Sequence, residues 1–472
     1  MSAPAPLKVR GAGQRWIVAA VVLGGVLMPL NSTMIAVALP DITDDLGISV
    51  ARSAWLVTAY LVALASLLPL AGDLADRFGR RRMILSGLAV FGVASLGAAT
   101  APNFETLLGF RVLQAISGAM VLPAGWAVMR EVVPAERRAY TFGLMGSMIG
   151  LAAAAGPPIG GLLTEAAGWR GIFYVNVPVV AAALALGWRV LPKTRPRFAG
   201  SRFDFAGAFL LPAVLSGLAG VLLAIASGAP WLAVGGAALA VAAGAIALGI
   251  VETRAVAPVL QPRLFRIRNF SAAAGGVAFS NMAMYVTLLA VPLMLTARGG
   301  YSNLDIGLVL MALSIAAFVV SPLSGRIADR LGRRIPAVFG ALMMTAAAVP
   351  LAVEGAAISV PLLIVALAVF GIGFGAATPV LQTSSVEAVE PDRAAAAAGV
   401  FSTSRYFGSI VGSAILAGLI GTDRADSSGF DGVFILVLVA SVVSLVAILG
   451  LSSRRPGAVE DESLGATVAA GD

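Results

Sequence analysis

The sequence predicts an all-α polytopic membrane protein with fourteen transmembrane helices, arranged as two six-helix bundles plus two accessory helices. Three observations predict this fold class. The composition is apolar and poor in charge, the apolar residues fall into runs long enough to span a bilayer, and one decapeptide pattern occurs in both halves of the chain.

The composition limits both the solvent and the chemistry of this chain. Hydrophobic residues make up 59% of the 472 positions and charged residues 12%, whereas a soluble domain carries about 25% charged residues. The chain has no Cys and no His, which excludes disulfides, thiolate or imidazole metal ligands and His- or Cys-based catalytic triads. We therefore expect no cofactor, no metal site and no enzymatic activity.

The apolar runs number fourteen when about 20 residues are required for each span. The accessory pair, at about 205–251, is rich in Ala, Gly, Leu and Val and nearly free of polar residues, which is typical of lipid-facing packing. The predicted spans are 16–39, 54–72, 83–100, 106–129, 139–163, 171–191, 205–226, 231–251, 270–296, 304–325, 335–353, 359–382, 396–420 and 431–451.

The basic residues predict the orientation. If both termini are cytoplasmic, 26 of the 32 Lys and Arg residues fall in cytoplasmic segments, as the positive-inside rule requires. The net charge of +8 is spread over short clusters between apolar runs, so we expect no nucleic-acid partner. The prediction is a multi-pass protein of the cell inner membrane. Four basic residues lie in exterior loops, namely Arg52, Arg170, Arg298 and Arg424. The remaining two, Arg111 and Arg405, lie within predicted spans.

The repeated decapeptide predicts the domain organisation. Gly72–Arg81 follows the second predicted helix and Gly325–Arg334 follows the tenth. If each copy belongs to a six-helix unit, helices 7 and 8 form an insert. The predicted segments are a cytoplasmic tail (1–15), a six-helix bundle (16–191), linkers with the accessory helices (192–268), a second bundle (269–451) and a cytoplasmic tail (452–472).

The decapeptide resembles the cytoplasmic-loop signature of the major facilitator superfamily. In that family the signature acts as a gate, and its residue types suit the role: Gly allows a tight turn, Asp pairs with Arg, and Arg holds the loop against a neighbouring helix. The alternative is that the Arg residues only anchor the loop on the cytoplasmic side. The candidate gating residues are Gly72, Asp76, Arg77, Gly79, Arg80 and Arg81, with Gly325, Asp329, Arg330, Gly332 and Arg333 in the second copy.

Two further stretches resemble motifs of the same superfamily. Arg111–Ala119 is similar to its fourth-helix motif, and an Arg within a span must face the bundle interior, with Gln114 or a group on the first helix as its expected partner. The fifth helix resembles the motif associated with antiporters. That resemblance implies exchange, and its residues are Gly143, Gly156, Pro157, Gly160 and Gly161.

The stretches Leu30–Pro40 and Trp169–Pro178 resemble motifs of the fourteen-helix drug:proton antiporters, the branch of multidrug efflux transporters. This resemblance implies alternating access, export of a hydrophobic small molecule such as a drug, antibiotic or toxic metabolite, and proton antiport. The expected partners are the substrate, protons and membrane lipid, and we expect a functional monomer. The alternative is an importer or exchanger of the same fold for neutral or anionic metabolites, not proton-coupled through the first helix.

One departure from the branch concerns the first helix, where Asn31 stands in place of the usual Asp. No carboxylate falls clearly at the centre of a span, whereas Arg111 and Arg405 both lie within spans. Two buried positive charges without a fixed negative charge disfavour a cationic substrate. Either an anionic or polar substrate group replaces the missing Asp, or a boundary carboxylate carries the proton. The boundary carboxylates are Asp41, Asp73, Glu131, Asp305 and Glu387, and further inward-facing candidates are Asn176, Asn281 and Gln382.

Overall fold

The computed structural model describes residues 12–193, 204–226, 228–255, 258–390, 393–420 and 428–452. All regular structure in these ranges is helical. The described chain forms fourteen long helices: α1 (Ala12–Asp45), α2 (Val50–Phe78), α3 (Arg80–Ala99), α4 (Phe104–Val132), α5 (Ala135–Ala167), α6 (Gly171–Val190, with a turn at Val175), α7 (Phe205–Ala226), α8 (Trp231–Arg254), α9 (Arg268–Arg298), α10 (Asn303–Leu331), α11 (Arg334–Glu354), α12 (Val360–Glu387), α13 (Ala394–Ile420) and α14 (Ser428–Leu449).

The predicted all-α membrane fold is confirmed. Thirteen of these helices, all but α5, are long and apolar enough to cross a bilayer within the described residues, and α5 itself has 33 residues. Most helices extend beyond the predicted runs; α1, for example, continues to Asp45 rather than ending near residue 39. The apolar window marks only the hydrocarbon core, and a helix continues beyond it until a turn residue or a cap ends it.

Local signals explain the helix ends. Ser49 and Asn103 cap the first turns of α2 and α4 with their side-chain oxygens, and Ser302 begins α10 with a capping box. Gly79 and Gly332 stop α2 and α10 at φ of 90° and 89°, a conformation that other residues rarely adopt.

The decapeptides are mostly helical rather than loops, which corrects the prediction. Residues 72–78 and 325–331 complete α2 and α10, and only Gly79 in the first copy, and Gly332 and Arg333 in the second, lie between helices. Nothing in the first seven residues of either copy interrupts a helix. The structure does not describe the surroundings of Gly72, Asp76 and Gly143. Of the two predicted tails, it describes only residues 12–15 and Ser452.

The helix packing repeats between the halves. The contacts α1–α5, α2–α4, α3–α4 and α3–α6 correspond to α9–α13, α10–α12, α11–α12 and α11–α14. The halves meet through α5 with α10 and through α2 with α13, which are again equivalent pairs. Two six-helix bundles therefore pack about a pseudo-twofold relation, as the repeated decapeptide predicts.

The accessory helices lie outside this arrangement. Helix α7 packs on α2 and α13, across the seam between the bundles, and α8 packs on α7. Only 6% of the apolar window of α8 is buried, as expected of a lipid-facing helix. We call the end where α2 meets α3 and α10 meets α11 the motif end, and the end where α1 meets α2 and α9 meets α10 the opposite end.

Candidate functional site

A buried network of polar side chains surrounds Asn31 in the first bundle. Asn31 Nδ2 donates to Gln114 Oε1 at 3.3 Å, and Arg111 Nη1 donates to the same oxygen at 3.0 Å. The side-chain oxygen Oδ1 of Asn31 accepts from Asn176 Nδ2 at 3.2 Å, and Gln114 Nε2 donates to Ser95 Oγ at 2.9 Å. The network joins α1, α3, α4 and α6, and its members are almost completely buried.

Asn31 and Arg111 do not hydrogen-bond to each other directly. Oδ1 of Asn31 already accepts a hydrogen bond from Asn176. Arg111 and Asn31 instead both donate to Oε1 of Gln114. The predicted local pairing of Arg111 with Gln114 is present. A carboxylate at position 31 would accept bonds only, whereas the amide both donates and accepts, and this network uses both functions.

Arg111 is 1% exposed and forms no ion pair with any residue that the structure describes. Its Nε donates to the Leu56 carbonyl at 3.3 Å, and its guanidinium lies 4.3 Å from the centroid of the Tyr60 ring. Carbonyl and aromatic contacts stabilise a buried cation but do not neutralise it. The centre of the first bundle is therefore positive.

A second cation reaches the centre from the other bundle. Arg405 on α13 donates through Nη2 to Tyr406 Oη at 3.2 Å, and its buried Nε has no partner within the described chain. Tyr285 on α9 lies 3.3 Å from Ser32 Oγ on α1 and interacts electrostatically with Tyr406, Arg405 and Arg111. We call Ser32, Tyr60, Arg111, Tyr285, Arg405 and Tyr406 the central cluster.

The central cluster combines both halves in one site. It contains two guanidinium groups, three phenols and one hydroxyl, and no carboxylate. Among the described residues, Tyr60 Oη is buried without a hydrogen-bond partner, like Arg405 Nε. Two unpartnered donors beside two cations suit a ligand that offers negative charge or hydrogen-bond acceptors.

Two of the predicted inward-facing residues do not reach the central cluster. Asn281 is buried on α9 and donates to the Val277 carbonyl of its own helix at 3.1 Å. Gln382, within two turns of the motif end of α12, is exposed, whereas its neighbour Leu381 is buried. The sequence alone did not single out Ser32, Ser95 or Tyr406; the available signal was a polar side chain in an otherwise apolar helix.

The antiporter-motif helix α5 packs closely against both bundles. Gly156 and Gly160 face α1, where a Cβ on Gly160 would lie 2.9 Å from the Met34 carbonyl oxygen. Gly161 faces Asn303 at the start of α10. From the other side of this contact, a Cβ on Gly307 of α10 would lie 2.6 Å from the Pro157 carbonyl oxygen of α5. These glycines allow helices α1, α5 and α10 to approach one another closely near the opposite end.

Among the residues that the structure describes, hydrogen bonds between the bundles lie at the centre and at the opposite end. Near the opposite end, Asn303 Nδ2 donates to Asp41 at 3.0 Å, and the Leu304 amide donates to Glu165 at 3.2 Å. At the centre, the Thr58 and Ser413 hydroxyls lie 2.9 Å apart. The bonds near the opposite end hold the two bundles together there.

At the motif end, the first decapeptide binds within its own bundle. Arg80 pairs with Glu131 at 2.6 Å and donates to the Ala127 carbonyl at 3.3 Å, both on α4. Arg81 donates to the carbonyl of Leu191, just after α6, at 2.8 Å. Arg77 lies in the last turn of α2. Two of the predicted arginines thus hold the turn against neighbouring helices.

The second decapeptide repeats this geometry. Arg333, equivalent to Arg80, bonds to Glu387 on α12 at 2.8 Å and to Asp329 at 2.7 Å. The hydrogen bond to Glu387 raises the pKa of Arg333, so its charge persists at every cellular pH. Arg330 is exposed, and a Cβ on Gly325 would meet nothing within 4 Å, so close packing does not explain this glycine.

The boundary carboxylates differ in their partners. Glu131 and Glu387 pair with decapeptide arginines, and Asp305 belongs to the capping box of α10. Asp41 is the one that bonds across the two bundles, and the surroundings of the Asp73 side chain lie outside the described residues.

An apolar cleft of about 450 Å³ lies between α2, α3 and α4 towards the motif end. Its α2 wall is Leu67, Ala71, Leu74 and Phe78. Leu67 and Leu74 lie seven and fourteen residues after Tyr60, so they share its side of the helix. The cleft therefore continues an apolar stripe that begins beside the central cluster.

Two equivalent six-helix bundles with two accessory helices, and a central polar cluster built from both bundles, are the architecture of a multi-pass membrane transporter. The chain belongs to the Major Facilitator Superfamily, whose family profile matches residues 21–251 and 273–469. The predicted family is thereby confirmed.

Curated relatives refine the comparison. An uncharacterized MFS-type transporter of Bacillus subtilis is 32% identical over 95% of this chain and 98% of its own length. The tetracenomycin C resistance and export protein of Streptomyces glaucescens is 33% identical over 71% of this chain and 62% of its own. Other relatives are named as multidrug or antibiotic resistance proteins, consistent with the multidrug efflux branch.

A solved structure shares the fold. A bacterial homologue of the human lysosomal transporter Spinster, in an inward-facing and unoccupied conformation, covers 95% of this chain and all of its own with a TM-score of 0.68. The sequence identity is 16%, so the likeness concerns the fold alone.

Proposed function

We propose that this protein exports a hydrophobic small molecule from the cell by alternating access and proton antiport. The observation that carries the proposal is the central cluster, which draws side chains from both bundles beneath a closed opposite end. With the motif end cytoplasmic, as the basic residues predict, we infer that the opposite end faces outward and that this state takes up substrate from the cytoplasm. The names of the resistance and export relatives support the outward direction.

The charge of the central cluster supports a neutral or anionic substrate rather than a cationic one. Arg111 and Arg405 contribute two positive charges, and position 31 contributes an amide that is already bonded to Gln114 and Asn176. A lipophilic cation would meet uncompensated repulsion in this low-dielectric site. The Tyr rings and the apolar cleft suit the hydrophobic body of the substrate, and the unpartnered donors suit its acidic or acceptor group.

The proton then requires a carrier other than position 31. Asp41 is the boundary carboxylate that bonds across the two bundles, so its protonation would weaken the contact with Asn303 that closes the opposite end. We propose Asp41 as the coupling carboxylate. The protein acts as a monomer in the inner membrane with both termini cytoplasmic.

Efflux from cells tests the export proposal. Deletion and re-expression are compared across a panel of antibiotics that includes anionic, neutral and cationic aromatics, with and without an uncoupler. We expect re-expression to lower accumulation of anionic or neutral compounds and the uncoupler to abolish the effect. Increased accumulation would favour the importer alternative, and an effect that survives collapse of the proton gradient would rule out proton antiport.

A further inference from the structure

The accessory helix α8 carries a buried carboxylate on an otherwise exposed apolar surface. Its two buried residues are Leu248 and Glu252, and Glu252 is 3% exposed. Glu252 lies in the last turn of α8, at the motif end. A carboxylate in such a position is costly unless it is paired or neutral, so the residues around it are informative.

The nearest acidic group is Asp204, which begins α7. Asp204 Oδ1 accepts from the Gly207 amide at 2.8 Å, and Glu252 Oε2 accepts from the Leu260 amide at 2.8 Å. Backbone donors thus hold one oxygen of each carboxylate. The other two oxygens, Asp204 Oδ2 and Glu252 Oε1, are buried and have no partner within the described chain.

These two unpartnered oxygens face the same small space. A Cβ on Gly207 would lie 2.5 Å from Asp204 Oδ2 and 2.6 Å from Glu252 Oε1, so the two oxygens are no more than about 5 Å apart. Gly207 leaves the space between them unfilled. Two carboxylates this close repel each other when both are ionised, so a shared proton or a cation between them is favoured.

The described chain supplies no cation to this space. The hydrogen bonds of Asp204 and Glu252 go to backbone amides. None of these hydrogen bonds involves a charged side chain of a neighbouring element. Within the described residues, the basic side chains of those elements are Arg77 on α2, Arg254 on α8, Arg263 and Arg266 in the turn after α8, and Arg393 before α13.

We propose that Asp204 and Glu252 form a proton-binding site, in which one proton is held between Asp204 Oδ2 and Glu252 Oε1. One carboxyl group donates its O–H to the other, ionised group, so the pair carries a single negative charge. The site lies outside the proposed transport pathway and does not depend on the substrate or on the direction of transport.

The position of the site gives the proton a structural consequence. Through Leu260 the pair ties the accessory hairpin to the linker before α9, and through Asp204 it fixes the first turn of α7. Helix α7 packs on α2 and α13, across the seam between the bundles. Loss of the proton places two like charges at the base of this hairpin and loosens its attachment.

Infrared spectroscopy of the purified full chain in lipid nanodiscs tests the site. At neutral pH we expect the wild type to show a protonated-carboxyl band that Glu252→Gln abolishes. Asp204→Asn keeps the acceptor for the Gly207 amide, since Asn also caps helices, and should lower the pH midpoint of the band by about one unit. Glu387→Gln, whose carboxylate pairs with Arg333, is the control and should leave the band unchanged.

Two outcomes would overturn the site. A band unchanged by Glu252→Gln, or a midpoint unchanged by Asp204→Asn, would mean that the two carboxyl groups do not share a proton. Loss of the wild-type band on addition of Na⁺ or Mg²⁺ at constant pH would mean that a metal cation, not a proton, occupies the space.

Discussion

At the residue scale, the amide of Asn31 determines the charge of the central cluster. It donates to Gln114 and accepts from Asn176, and so joins α1 to α4 and α6 without adding charge. Arg111 bonds to the same Gln114 oxygen and keeps its full positive charge in a buried position. An amide rather than a carboxylate at position 31 therefore leaves the charge of Arg111 uncompensated.

Replacing Asn31 with Asp should increase transport of cationic aromatic drugs. The new carboxylate and Arg111 would both lie beside the Gln114 side chain, so the negative charge would offset the positive charge of Arg111. A charge at this range is worth a few kcal/mol at an effective dielectric constant of about 20, so we expect an increase on the order of tenfold. Efflux of an ethidium-like cation measures it.

Asn103→Asp is the control for that substitution, because Asn103 caps α4 at the opposite end and either residue serves as a cap. It should leave cation efflux unchanged. If Asn31→Asp also leaves efflux unchanged, position 31 does not determine the charge of the substrate.

Replacing Arg405 with Gln should distinguish anionic from neutral substrates. Arg405 has an unpartnered buried donor in the central cluster, so an acidic substrate group is expected to bind there. We expect transport of an anionic aromatic to fall about tenfold or more, and transport of a neutral analogue of similar size to change less. Concentration-dependent uptake into vesicles would show the loss as a raised KM.

Arg326→Gln provides the matched comparison, since Arg326 is exposed on α10 outside the central cluster. Equal losses for the anionic and the neutral compound in Arg405→Gln would indicate a structural role and contradict the assignment.

The sequence predicted part of this chemistry for physical reasons. A buried Arg must find acceptors, and Gln114, one turn further along the same helix, was a predictable one. The rotation of each helix about its axis depends on tertiary packing, which a single sequence does not contain. Gln382 is therefore exposed and Asn281 bonds to its own helix, whereas Tyr406 belongs to the central cluster.

At the element scale, the close packing of α5 with α10 holds the opposite end shut. Gly161 and Gly307 face the partner helix at distances that leave no room for a side chain. The antiporter motif in the sequence indicated small-residue packing on α5, but the partner of that packing became evident only from the structure. Gly307, on the partner helix, belongs to no motif that the sequence displayed.

Substitution of Gly307 by Val should open the opposite end. Its side chain would overlap the Pro157 carbonyl, and overpacking of this kind costs about 1–3 kcal/mol, enough to shift a two-state equilibrium about 5- to 150-fold. Because the chain has no Cys, spin labels at Ala167→Cys and Tyr301→Cys can report the distance between α5 and α10 by pulsed electron resonance. We expect a population at longer distance.

Gly325→Val is a matched control on the same helix, because open space surrounds that position. It should leave the distance distribution at the wild-type value. A wild-type distribution in Gly307→Val would mean that the α5–α10 contact does not determine the closure.

At the scale of the whole molecule, the repeated decapeptide corresponds to a repeat in three dimensions. The pairs Arg80–Glu131 and Arg333–Glu387 occupy equivalent places in the two bundles. The sequence repeat was sufficient to predict two related units and an inserted hairpin. It could not predict which end is closed, because a single sequence can populate two conformations whose energies differ only slightly.

Transport by the purified protein in proteoliposomes tests the central claim most directly. Two aromatic compounds of similar size, one anionic and one cationic, are compared under an imposed proton gradient. We predict that the gradient drives transport of the anionic compound, that an uncoupler stops it, and that the cationic compound moves at least about tenfold more slowly. Faster transport of the cation, or anion transport that persists without a gradient, would contradict export by proton antiport through a positively charged centre.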